Sequence, residues 1–129
     1  MDARKIKFLF KKYPRVFAYM KMNAITFFDC KDGWFSLIED ICEKLEPLIE
    51  EFIKENYYEI YPAVSAIKEK FGILQFYMTT ATDEMYRIIE AYSQKSQFIC
   101  EICCEKGQIR SHKGISLVRC NKCYSKKDF

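Results

Sequence analysis

The sequence predicts an α+β fold, helices packed on a small antiparallel sheet, followed by a C-terminal cysteine ribbon. Three observations predict it. A long helical periodicity follows the turn at Lys31-Asp32-Gly33, two alternating runs flank Lys70-Phe71-Gly72, and two C-x-x-C pairs stand near the end of the chain. The 129 residues are half apolar, enough for a real core, and the apolar density drops near Gln97. The expected division is an α+β body over residues 1–97 and a ribbon module over residues 98–129.

In the first segment Ile6, Leu9, Phe10 and Tyr13 recur at helical spacing among basic residues, and Pro14 ends the pattern. From Arg15 to Cys30 the signal is mixed. Val16, Ala18 and Met20 alternate, and the β-branched, aromatic run Ile25-Thr26-Phe27-Phe28 predicts a strand near 24–29.

Trp34, Leu37, Ile38, Ile41, Cys42, Leu45, Leu48, Ile49 and Phe52 then mark one face of a long helix, with Asp32 as its expected N-cap. Its other face carries Glu39, Asp40, Glu43, Glu46, Glu50 and Glu51, read as a solvated acidic surface. Pro47 lacks an amide hydrogen, which costs about 3 kcal/mol inside a helix, so a kink or break is expected there.

After Tyr61-Pro62 the period changes to two, and the runs around Val64–Lys68 and Ile73–Met78 predict a hairpin. Thr79 to Thr82 supply capping hydroxyls for a helix from about 82 to 95, marked by Met85, Ile88, Ile89 and Tyr92.

The remaining segment carries the chemistry. Cys100 and Cys103 form one C-x-x-C pair, Cys120 and Cys123 another, and 16 residues separate the pairs. Each pair presents two thiolates on one side of a tight turn, and two such knuckles complete the tetrahedron that zinc takes at roughly 2.3 Å. The short runs Gln108–Arg110 and Ile115–Val118 would pair as strands between the knuckles. A redox dithiol, and a set in which Cys104 or His112 replaces one cysteine, are the competing arrangements. Four thiolates fill the shell, so the zinc is expected to be structural. Cys42 lies on the apolar helix face and reads as core, Cys30 and Cys104 as buried or free thiols, and His112 as solvated.

Seven cysteines, an odd number with four in paired knuckles, favour metal over disulfides and thus a reducing cytoplasm. No apolar run reaches membrane-spanning length, and the first residues lack the pattern of a secretory signal. The net charge of +3 is unevenly spread: residues 1–31 carry eight cations against two acids, 32–62 two against nine, and 98–129 seven against three. That acidic middle argues against a simple phosphate binder. No catalytic triad, phosphate loop or isolated acid/base pair is recognisable, so a non-enzymatic role is expected. Lys106, Arg110, Lys113, Arg119 and Lys122 are the candidate contacts to nucleic acid, and Glu43 and Glu50 the candidate contacts to a basic partner. No aromatic is clearly placed by the sequence on an exposed stacking platform.

Taken together, Asp32-Gly33-Trp34-Phe35, the string Lys68-Glu-Lys-Phe-Gly-Ile-Leu-Gln-Phe-Tyr77 and the paired knuckles resemble a family of small, mostly uncharacterised phage and prophage proteins. Two positions depart from that pattern: Gln75 stands where arginine is expected, and Cys104 where glycine is common after a zinc knuckle. The resemblance implies a context of mobile elements, and with it a protein that binds and disables a host protein or ribonucleoprotein, such as an RNA-guided CRISPR nuclease. A nucleic-acid-binding accessory protein is the alternative.

Overall fold

A computed structural model of the chain describes residues 1–56 and 60–129. It shows an α+β architecture with two small antiparallel sheets and packed helices. The first helix, α1 (Ala3–Lys12), buries Ile6 and Leu9, as its spacing predicts, and the Asp2 carboxylate caps it by accepting from the Arg4 amide at 2.7 Å.

The following segment departs from expectation. A five-residue helix, α2 (Ala18–Met22), occupies the region of apparent alternation, because Phe17 and Met20 both face the core at helical rather than strand spacing. The strand expected near 24–29 does not form. Ala24 adopts a positive φ of 53°, and only Asp29 joins a sheet, through one parallel bridge to Lys68.

Asp32–Trp34 form a 3-10 turn, so Trp34 and not Asp32 precedes the long helix α3 (Phe35–Glu55). Asp32 serves α1 instead, accepting from the Asp2 amide at 2.8 Å and pairing with Lys5 at 3.4 Å. The helix α3 runs its 21 residues through Pro47 without interruption. Pro47 is exposed, and Leu45 before it and Ile49 after it are fully buried, so packing on both sides holds the helix through the missing hydrogen bond.

The acidic face of α3 is not uniformly solvated. Glu46 is buried, and its carboxylate accepts from the backbone amides of Arg15 at 2.8 Å and 3.0 Å and of Val16 at 2.9 Å. It thereby satisfies the Arg15 and Val16 amides of the turn that follows Pro14. Burial pushes its pKa up, opposed by those same amides.

The predicted hairpin forms from β1 (Val64–Lys70) and β2 (Ile73–Met78). Phe71 and Gly72 connect them with φ of 54° and 79°, the two positive angles of a tight hairpin turn. Thr82 caps α4 (Asp83–Ser96) by accepting from the Met85 amide at 3.3 Å, and α4 packs along β2. In the C-terminal segment β3 (Gln108–His112) and β4 (Ile115–Arg119) pair antiparallel, and α5 (Asn121–Ser125) follows.

The core gathers Trp34, Phe17, Phe28, Leu9, Met20 and the inner face of α3 against Ile67, Leu74 and Phe76 of the first sheet. Val118 of β4 belongs to this same cluster, so the ribbon shares the core of the body. Among the described residues no helix is long and apolar enough to cross a membrane.

Candidate metal centre

The two knuckles arise from different local structures. The first is a turn in which the Cys100 amide donates to the Glu105 carbonyl at 2.7 Å and the Cys104 amide to the Cys100 carbonyl at 3.0 Å. Cys104 leaves this turn with a φ of 72°, a left-handed conformation that explains why glycine suits the position. The second knuckle is the first turn of α5, with Cys120 as its N-cap; the Cys120 sulfur accepts from the Cys123 amide at 3.3 Å.

The β3–β4 hairpin brings the knuckles face to face. The Sγ atoms of Cys100, Cys103, Cys120 and Cys123 all lie within 4.8 Å of one another, and those of Cys103 and Cys120 approach to 3.6 Å. Sulfurs bound at roughly 2.3 Å to the centre of a tetrahedron stand about 3.8 Å apart, so the cluster has the dimensions to hold one metal ion. Cys100, Cys120 and Cys123 are buried and Cys103 is exposed. The Cys123 amide beside it lowers the Cys120 thiol to about 7, whereas burial and then the neighbouring thiols push Cys123 up. A metal ion would displace the protons that such crowding retains.

The other candidates fall outside the cluster. Cys104 is exposed, while Cys30 and Cys42 are buried in the main core, where desolvation pushes Cys30 up to about 12. His112 is half-buried rather than solvated, stacked on the Phe129 ring at 3.8 Å. Lys106, Lys113 and Lys122 are exposed, as are Glu43 and Glu50. Arg110 is half-buried, its guanidinium 4.6 Å from the Tyr124 ring and bonded to Asn121 and to the Arg119 carbonyl.

Arg119 is the largest departure from a basic surface. It is only 1% exposed, and its guanidinium pairs with the buried Glu101 at 3.3 Å and donates to the carbonyls of Val118, Asp128 and Phe129. Five guanidinium donors have a fixed fork geometry, and this set of acceptors fills most of it. Arg119 is therefore unavailable to phosphate.

Sequence reasoning missed what fastens the knuckle to the body. Glu101, between the first two cysteines, accepts from the Lys31 amide at 3.0 Å, and its carbonyl accepts from the Gly33 amide at 2.7 Å. The Trp34 indole donates to the Ile99 carbonyl at 3.0 Å. A Cβ on Gly33 would lie 2.2 Å from the Cys100 carbonyl oxygen, so the backbone of the knuckle rests directly on this glycine. The Asp-Gly-Trp turn is the socket of the first knuckle. The available signal was an acid enclosed between two ligand cysteines and an arginine directly before a third, residue types that a solvated loop does not require.

Comparison with protein-family models, curated proteins and solved structures returns no match.

Proposed function

We propose that the chain is a zinc-stapled, non-enzymatic binding protein of phage type that docks on a host protein or ribonucleoprotein and disables host defence, an RNA-guided nuclease being one example of such a target. Zinc is the metal that four thiolates in tetrahedral array suit, and a filled shell of sulfur makes it a builder of structure rather than a Lewis acid. Cys100, Cys103, Cys120 and Cys123 would hold it.

The observation that carries the docking reading is the outer face of α3. Asp40, Glu43, Glu50 and Glu51 are exposed there, and no ion pair engages them among the described residues. Such a strip complements a basic groove of the kind that holds nucleic acid in a host enzyme. The phage context rests on the motif resemblance. The rival reading, nucleic acid bound by the ribbon's basic loop, loses Arg119 to the interior.

Affinity purification from a bacterial lysate, with and without nuclease, tests the proposal. A protein partner that survives nuclease, and is lost with Glu43→Lys combined with Glu50→Lys at unchanged melting temperature, is the expected result. Recovery of nucleic acid alone, or capture indifferent to the charge reversal, would overturn it.

A further inference from the structure

The outer face of the β1–β2 hairpin is unused by the core. Directly opposed residues of an antiparallel pair share a face, so Ala66 and Tyr77, Lys68 and Gln75, and Lys70 and Ile73 stand together on the side away from Ile67 and Phe76. The bridge from Asp29 to Lys68 adds a third chain segment beside β1. Along that segment Phe28 and Cys30 are buried while Phe27 and Asp29 are exposed, so Phe27 stands two residues before the bridge, turned away from the core.

The result is a group of exposed aromatic rings on and around the hairpin. Phe27 is 65% exposed and Tyr77 40%. At the hairpin tip Phe71 is 72% exposed although its φ of 54° is one that bulky residues avoid. The lysines accompany the rings. Lys68 Nζ stands 5.7 Å from the Tyr77 ring centroid and Lys70 Nζ 5.8 Å from that of Phe71. Among the described residues, these two ammonium groups face one carboxylate here, Asp29.

The edges of the sheet are closed to an added strand. On one side the Leu74 amide donates to Ser96 Oγ at 2.9 Å and α4 covers β2; on the other the Asp29 amide and carbonyl bond the backbone of Ile67 and Glu69 at 2.9 Å. A partner must therefore use the face rather than the edge.

We propose that this face, Phe27, Tyr77 and Phe71 with Lys68 and Lys70, is a stacking platform for single-stranded nucleic acid. Rings on a sheet surface take unstacked bases, and neighbouring ammonium groups follow the phosphates. A duplex, whose bases already stack on one another, has nothing to offer the rings. The platform lies on the hairpin and not on the acidic face of α3, so it stands or falls separately from the docking of a host protein.

Fluorescence anisotropy on the full metal-loaded chain provides the test, with a labelled mixed-sequence oligonucleotide of about 15 nucleotides, longer than one sheet face spans, and the matching duplex as probes. The expected result is preference for the single strand, weakened about five- to a hundredfold by Tyr77→Ala or Phe27→Ala. Tyr77→Phe, which keeps the ring, should retain binding, and Asp29→Asn, which removes the opposing charge, should tighten it. Circular dichroism establishes that each variant is folded. Absence of binding by the unaltered chain, equal affinity for duplex and single strand, or affinity indifferent to both alanine variants would each overturn the proposal.

Discussion

The body and the ribbon of this chain solve the same problem with different means. In the body, Trp34, Phe17, Phe28, Leu9 and the inner face of α3 exclude water from a continuous apolar core. In the ribbon the corresponding cluster is Cys100, Cys120 and Cys123, with Ile102 packed against them, and the next largest buried side chain is a charged one, Arg119. A segment of some thirty residues buries little apolar surface of its own against its conformational entropy, and a metal held by the four sulfurs would supply the missing cross-link. The seam between them is therefore largely polar and directional: Lys31 and Gly33 amides, the Trp34 indole and the Glu101–Arg119 pair, with Val118 buried in the main core and Ile99 packed against it.

The largest effect should come from taking the metal away. Chelation at neutral pH is expected to melt β3, β4 and α5 while the body keeps its helices, read by hydrogen exchange along the chain. Uniform protection in the chelated protein would erase the distinction between the two regions.

Next in size is the buried ion pair. Arg119→Met leaves the Glu101 carboxylate uncompensated in the interior and should cost about 3–5 kcal/mol in urea unfolding, whereas Arg119→Met with Glu101→Met should recover part of the loss. A double variant no better than the single one would mean that the pair does not act as a unit. Gly33→Ala tests the seam from the other side. The added methyl meets backbone and not a movable side chain, so a loss of about 3 kcal/mol is expected; a melting temperature within a degree of the original would show that the knuckle does not rest there.

The smallest effect belongs to the body alone. Glu46→Gln should cost about 1–3 kcal/mol, because an amide group cannot accept from all the backbone donors that the carboxylate serves. Burial raises the Glu46 pKa in the folded chain, so the folded state holds that proton more firmly than the unfolded one. The advantage of glutamate is then greatest below its unfolded pKa, about 4.3, and diminishes as pH rises through the folded value. Paired unfolding curves of the two proteins across that window check the sign, and an advantage that grows with pH would contradict it.

What the sequence showed and what it hid divide along the same line. Local periodicity was sufficient for α1, α3, the β1–β2 hairpin, α4 and the ribbon hairpin, and the spacing of the cysteines was sufficient to select the four that converge. Residues 15–30 misled because their exposure is set by contacts from elsewhere: α2 turns Phe17 and Met20 onto the core, and Asp29 finds a strand only in β1. Charge was the other blind spot. Glu46 and Arg119 read as solvated ions, yet each is buried by partners 30 and 18 positions away in the chain, which no local pattern encodes. The exposure of Tyr77 was hidden likewise, since it depends on which face of the hairpin the core covers.

X-ray absorption at the metal edge addresses the central claim, that four cysteine sulfurs close the C-terminal site and staple the ribbon. One zinc per chain with four sulfur neighbours at about 2.3 Å and no light scatterer is expected, with loss of that shell in Cys120→Ser. A shell containing nitrogen or oxygen in the unaltered protein, or one that survives the substitution, would contradict it.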